Sequence, residues 1–238
     1  MSDIVLFDAS SIAYYRHFSR QKRPEGLTAA QWIEDFTKRS GAAHVYVVGD
    51  SPRNWRTSLA PEYKQHRPAR PDEVSQELAS LSTWAQWTEI PGYEADDTIA
   101  VLVNEHPGDR IVIVANDKEL HQLVSSRVLV YDPVRDFSFD EDAVRGKWEC
   151  SPTQMRTMLA LMGDKSDNVP GVPGVGQKRA AQVAARLPWS DVCRAMADKD
   201  VKALMDVGLS STLADMVVTY TATVVRNYEL VGLKGVRP

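Results

Sequence analysis

Four short runs of Val, Ile and Leu, at Ile4–Phe7, Val45–Val48, Ile111–Val114 and Val128–Tyr131, carry no polar alternation. Strands with one wet face alternate apolar and polar residues, so runs without alternation belong to strands covered on both faces, as in a parallel sheet. Helical patterns lie between the runs. Thr28 with Gln31 has the form of a capping box, Trp32 and Phe36 share a face, and Gly41 is placed to end that helix. Pro71 suits a first helical turn, and Val74, Leu78 and Leu81 then form an apolar stripe. From Glu94 to Val103, Ile99, Leu102 and Val103 fall on one side. Parallel neighbours need long crossovers, so this alternation up to about Pro133 predicts an α/β fold with a central, largely parallel sheet flanked by helices.

From about Asp140 the pattern becomes helical. Ser151-Pro152 opens a helix bearing Met155, Met158, Leu159 and Met162. A Gly/Pro-rich turn, GDKSDNVPGVPGVG, leads into a helix over Gln177–Arg186, and Ser210 to Leu230 closes the chain with further helix. With no repeat, low-complexity tract or long linker, the expected organisation is an α/β part over 1–138 and a helical lobe over 139–238, packed as one compact unit. Nothing at the N-terminus reads as a signal peptide, and no apolar run is long enough to span a bilayer. Cys150 and Cys193 are too few for a disulfide framework or a four-ligand zinc site, which leads to the expectation of a reducing cytoplasm.

The acids fall at telling positions. The first strand ends in Asp8, the second runs into Asp50, and the third into Asp117, with Glu119 two residues on. Ligands of open parallel sheets bind beyond the carboxyl ends of the strands. One acid there serves well as a helix cap or turn former. Several acids on one edge concentrate negative charge, which is costly without a cation. Gly92-Tyr93-Glu94-Ala95-Asp96-Asp97 adds three more at a helix start, where the helix dipole accounts for one or two. Asp164 and Asp167 form a further pair in GDKSDN. Oxygen ligands without His or Cys select Mg²⁺ or Mn²⁺ over zinc, and so many acids suggest two or more ions, as used for in-line phosphoryl displacement. The net charge of −4 does not exclude a nucleic-acid partner, because setting these nine acids aside leaves +5 for the remainder.

Two segments suit a phosphodiester. Gly171, Gly174 and Gly176 precede a helix that carries Lys178 and Arg179, an arrangement that lets backbone N–H groups approach a phosphate. A plain helix connection is the ordinary alternative, but the doublet of glycine turns fits the helix-hairpin-helix pattern. Between Arg53 and Arg70, Arg53, Arg56, Lys64, Arg67 and Arg70 face a single acid, Glu62, with Trp55 and Tyr63 interleaved. Cations with aromatics suit a single strand, and a solvated basic loop has the same composition.

These motifs resemble the bacterial and bacteriophage 5′-nucleases, which comprise flap endonucleases and the 5′-exonuclease domain of family A DNA polymerases. The resemblance is carried by GYEADD, NDKELHQLV, LMGDKSDNVPGVPGVGQKRA and the WR…EYKQHR segment, from Asp8 to roughly Arg186. It implies a PIN-like nuclease fold with a helix–three-turn–helix DNA-binding lobe. It also implies a structure-specific, divalent-metal-dependent 5′-3′ exonuclease or flap endonuclease that leaves 5′-phosphate and 3′-hydroxyl ends. Asp8, Asp50, Glu94 and Asp96 then correspond to a first metal site, Asp97 and Asp117 to positions between or near both sites, and Glu119, Asp164 and Asp167 to a second. Lys64 and Arg56 correspond to basic residues beside the scissile phosphate, acting with Asp97 and Asp117 in catalysis. Tyr63, Arg67, Gly171, Gly174, Gly176, Lys178 and Arg179 correspond to DNA contacts, with residues about 53–87 in a gateway for the single strand. The implied cofactors are two or more Mg²⁺ or Mn²⁺ ions, with K⁺ at the hairpin turn. The implied partners are DNA with 5′ flaps, nicks or 5′ ends and a separate DNA polymerase, and the implied state is a monomer in the cytoplasm, that of the host for a phage protein.

One departure stands out: where the family has Asp-x-Asp, this chain has Asp117-Lys118-Glu119. That change is the sole support for an alternative, a structure-specific DNA-binding protein with an impaired second metal site. A phosphatase or dehalogenase with Asp8 as nucleophile would want a second Asp two residues on, where the chain has Ser10.

Overall fold

A computed structural model describes residues 3–23 and 25–235. The chain divides into two compact units. The first comprises the residues up to Trp55, Pro68–Asp140 and those from Leu233. The second comprises Arg56–Arg67 and Glu141–Gly232. Residues 56–67, expected with the α/β part, thus pack with the helices.

The α/β unit is a six-stranded sheet in the order β3-β2-β1-β4-β5-β6. Its strands are β1 (Ile4–Asp8), β2 (His44–Val48), β3 (Trp87–Thr88), β4 (Ile111–Val114), β5 (Val128–Asp132) and β6 (Phe137–Phe139). The four apolar runs are β1, β2, β4 and β5, and all pair in parallel. Two short strands complete the sheet: β3 adds in parallel through two residue pairs, and β6 folds back antiparallel on β5. Asp132 pins that last reversal by accepting from Val134 N at 2.9 Å and Arg135 N at 3.1 Å.

The helices of this unit are α1 (Ala9–Lys22), α2 (Ala29–Ser40), α4 (Asp72–Leu81) and α5 (Ala95–Glu105); α3 (Trp55–Leu59) straddles the division. The Thr28–Gln31 capping box opens α2, and Gly41 ends it in the left-handed conformation. One core cluster joins Val5 and Phe7 of β1, Ile12 of α1, Trp32 and Ile33 of α2, and Val74, Leu78 and Leu81 of α4. Phe7 anchors it with edge-on contacts to Trp32 at 6.3 Å and Phe36 at 5.5 Å. Successive residues of a strand face opposite sides, so Ile4 and Leu6 turn to the other face, where α5 packs on β1 and β2. Gly49 follows β2 because a Cβ there would lie 1.9 Å from the Trp87 ring. That close approach fixes the backbone that delivers Asp50.

The helical unit contains α6 (Glu141–Trp148), α7 (Met155–Met162), α8 (Gln177–Arg186), α9 (Trp189–Ala197), α10 (Val201–Asp206), α11 (Ser211–Thr219) and α12 (Thr221–Leu230). The closing helix expected from Ser210 is in fact two, divided at Tyr220. Helices α7 and α8 pack together, and α12 packs on α7. Between α7 and α8 the chain closes into a narrow loop. Asp164 and Val169 exchange backbone hydrogen bonds of 2.8 Å each, and Val172 N donates to Leu161 O at 2.9 Å. Gly171 sits where the neck is tightest, since a Cβ there would lie 1.9 Å from Met162 O. Asn227 of α12, fully buried, donates to both Ala160 O (3.1 Å) and Pro170 O (2.7 Å) and ties the two sides of the neck together.

Candidate metal centre and basic loop

The strand order reverses between β1 and β4, and that switch point is where open α/β sheets bind ligands. Asp8 ends β1 there and also caps α1: its Oδ1 accepts from Ser11 N at 3.0 Å and its Oδ2 from Ser11 Oγ at 2.9 Å. Asp117 follows β4, and Asp96 sits in the first turn of α5. Among the described residues, Asp8, Asp96 and Asp117 each bring a carboxylate oxygen within 4.8 Å of the other two. Asp50, two residues beyond β2, lies close enough for its charge to act on Asp8. Its Oδ1 accepts from Ala95 N at 2.9 Å, at the start of α5, and its Oδ2 from Ser10 Oγ at 2.8 Å.

The electrostatics fit a cation. Burial, then the Asp50 carboxylate, then Asp117 push the Asp8 carboxyl up to about 7, against the partial offset of its Ser11 bonds. Hard oxygen donors from three elements, one of them buried and resisting ionisation, are the donor set a divalent ion requires. The native state therefore binds more protons at Asp8 than the unfolded chain, whose value is near 3.8. In ion-free protein the stabilisation from this group is full below that value and is lost as pH rises through about 7. A bound dication favours the ionised form, so its binding releases a proton below that pH. The expected result is an Mn²⁺ affinity, read by titration between pH 5.5 and 8.5, that falls up to about tenfold per unit of acidification below pH 7 and levels off above it. A profile flat across that range would contradict the assignment of Asp8.

The neighbouring acids also make bonds within the fold. Glu94, buried, caps α5 through the backbone of Asp97 and accepts from Asn54 Nδ2 at 3.3 Å. Asp97, expected between or near both metal sites, is also tied into the fold. It is 0% exposed, its Oδ2 accepts from Trp55 Nε1 (2.9 Å) and Glu94 N (3.3 Å), and its Oδ1 accepts from Lys234 N (2.9 Å). Glu119 opens a 3-10 helix, Glu119–Leu123, and is buried.

In the helical unit, Asp164 caps the turn Lys165–Asp167, accepting from Ser166 N at 2.9 Å and Ser166 Oγ at 2.6 Å. Asp167 Oδ2 accepts from the Tyr63 hydroxyl at 2.8 Å and lies 3.6 Å from Lys64 Nζ, and the Arg67 guanidinium pairs with its Oδ1. Tyr63 is buried, its hydroxyl on Asp167 and its ring beneath the Lys64 ammonium at 4.9 Å. Arg56, expected beside the scissile phosphate, is held within the fold. It is 2% exposed, and its Nε and Nη2 donate to Leu230 O (2.7 Å) and Gly232 O (2.9 Å), which satisfies carbonyls at the end of α12. Trp55, in the α/β unit, spends its indole N–H on Asp97 and carries the Lys234 ammonium over its ring at 4.1 Å.

In the hairpin turn, Gly174 takes φ 81°, Gly176 caps α8, and Lys178 and Arg179 are exposed at the first turn of that helix. Arg179 donates to Gly174 O at 2.9 Å, within the turn itself. Sequence reasoning overlooked Ser10, Ser11 and Asn116, the last accepting from Ser11 Oγ at 3.0 Å. Two serines directly after a strand-ending Asp were the available signal. No helix among the described residues is long and apolar enough to cross a membrane.

Comparison with known proteins places the chain in a family. Residues 3–149 match the family described as 5′-3′ exonuclease, N-terminal resolvase-like domain, and residues 150–234 match 5′-3′ exonuclease, C-terminal SAM fold. A 5′-3′ exonuclease of Aquifex aeolicus is 37% identical over 199 residues, covering 77% of this chain and 69% of that protein. DNA polymerase I of Mycobacterium tuberculosis is 32% identical over 255 residues, covering 97% of this chain but only 27% of the polymerase. The crystal structure of the bacteriophage T5 5′-exonuclease with bound zinc ions superposes with a TM-score of 0.75 at 19% identity, covering 96% of this chain and 88% of that one, a likeness of fold. A further structure of the T5 protein, a flap endonuclease with DNA and metal ions, gives a TM-score of 0.73 at 20% identity.

Proposed function

The chain belongs to the 5′-3′ exonuclease family and is a nuclease, and we propose that it cuts DNA at 5′ flaps, nicks or 5′ ends, using Mg²⁺ or Mn²⁺ held by its clustered carboxylates. The observation that carries this reading is the meeting of Asp8, Asp96 and Asp117 at the switch point of the sheet. These three are the proposed ligands of a first ion, with Asp50 beside them. Glu119, Asp164 and Asp167 are the proposed ligands of further metal binding, supported by their chemistry and by the family pattern. When bound, divalent ions supply Lewis-acid activation of water and phosphate and compensate charge on the departing 3′ oxygen.

The chain's own residues account for orientation. Ser11 fixes the Asp8 carboxylate through two bonds, and Ser10 with Ala95 N fixes Asp50. Asp97 and Glu94 lock the first turn of α5 and so set where Asp96 points. Lys64 is proposed to meet the scissile phosphate and offset its charge in the transition state. The glycine turn and Lys178 are proposed to hold the duplex backbone in the manner of a helix N-terminus.

A metal titration on 5′-labelled flap, nicked and blunt-ended DNA, with product lengths mapped, tests the reading. Cleavage of at least one substrate in Mg²⁺ or Mn²⁺, abolished by chelation and leaving 5′-phosphate ends, is expected. Cleavage that persists in chelator, or none in either metal, would count against it.

A further inference from the structure

We propose that Lys64 and Arg67 are resting counter-ions of Asp167, which give the carboxylate up to a divalent cation and thereby become available to the substrate phosphate. The inference deepens the proposed function and rests on its reading of Asp167 as a metal ligand.

All the observations lie within the helical unit. Asp167 is 7% exposed and carries two cationic neighbours, Lys64 Nζ at 3.6 Å and the Arg67 guanidinium, with Tyr63 OH as a neutral third partner. A buried carboxylate without opposing charge is costly, and these two cations meet that cost in ion-free protein. They supply more positive charge than one carboxylate carries. A dication on the same oxygens would lie against two like charges at contact distance, so ion and side chains compete for Asp167.

The backbone is arranged so that this exchange need not separate the two turns. Lys64 N donates to Asp167 O at 2.9 Å, Asn168 Nδ2 to Glu62 O at 2.8 Å, and Arg67 Nε to Ser166 O at 3.3 Å. The first two of these bonds involve no ionic group and persist when the Asp167 carboxylate changes partner. Lys64 and Asn168, which make them, both hold left-handed backbone at φ 55° and 59°, a conformation that side chains disfavour and that persists where surrounding contacts over-determine it. The turn is thus held by the Lys64 main chain and the Asn168 amide, while the Lys64 and Arg67 side chains make the ionic contacts to Asp167. Once the ion displaces them, the two cationic side chains can turn to the charge of the substrate phosphodiester. Phosphate contacts and metal loading are then coupled, each strengthening the other.

The test uses the full chain without DNA at low ionic strength, with Mn²⁺ binding followed by electron paramagnetic resonance. The double variant Lys64→Met/Arg67→Met is expected to bind Mn²⁺ roughly three- to tenfold more tightly than the parent at the Asp167-dependent site, although it cleaves poorly. A second measurement follows ¹³C-dimethylated Lys64 by NMR at fixed pH: adding Mg²⁺ is expected to move its methyl resonance, and Asp167→Asn is expected to abolish that change. Thermal melting checks that each variant is folded, and Arg67, about half exposed, is a mild site to change. Unchanged or weaker Mn²⁺ binding in the double variant overturns the exchange while leaving Asp167 a ligand. Full Mn²⁺ stoichiometry in Asp167→Asn overturns it at its base, because Asp167 then holds no ion.

Discussion

Asp96→Asn is expected to lower the single-turnover rate of flap cleavage by about 10²–10³-fold, with the melting temperature within about 2 °C of the parent. The side chain sits in the first turn of α5 and brings an oxygen to the Asp8–Asp117 group, so the variant removes ligand charge without opening the core. Asp97→Asn, one residue along, is expected to behave in the opposite way. Asp97 accepts from Trp55, Glu94 and Lys234, and an amide offers only one oxygen to those three donors. Its NH₂ would then face an N–H group, which costs about 2 kcal/mol and about 4–8 °C of melting temperature in a chain of this size. Calorimetry and rapid-quench cleavage on both variants separate the two roles. Loss of cleavage in Asp97→Asn at an unchanged melting temperature would return Asp97 to the metal site.

Arg56→Met carries the second large effect, and it is one of stability. The guanidinium is buried and donates to the carbonyls of Leu230 and Gly232, and methionine would leave both without that donor. A loss of about 3 kcal/mol is expected, lowering the melting temperature by about 6–12 °C, with cleavage at low temperature retained within about tenfold. Lys64→Met should show the converse, a large loss of cleavage at a nearly unchanged melting temperature. The pair of variants tests whether basic residues of the 53–70 segment act on the substrate or on the fold.

Much of the fold was legible because it is encoded locally. The unbroken apolar runs marked β1, β2, β4 and β5, the Thr28–Gln31 box fixed the start of α2, and α8 occupies the expected span Gln177–Arg186. The sheet edges were not legible. β3 has two residues and β6 three, too few to show a period, and their pairing depends on Trp87 reaching Val47 and on the Asp132 turn. The surplus of acids was equally plain, but which of them meet distant parts of the chain was not. Asp97 and Asp96 are adjacent in the chain, and Asp97 meets Lys234, 137 residues away. Arg56 looks like any other basic residue of its loop until the chain returns 174 residues later to offer it Leu230 O. Such partners are fixed by tertiary packing, and no local spacing reports them.

The central claim is that a divalent ion sits between Asp8, Asp96 and Asp117, and anomalous diffraction from a crystal soaked in Mn²⁺ addresses it directly. The account predicts an anomalous peak within coordination distance, about 2–2.5 Å, of oxygens from these three carboxylates, absent in Asp96→Asn crystals treated the same way. Well-ordered carboxylates with no peak among them at saturating Mn²⁺ would contradict it.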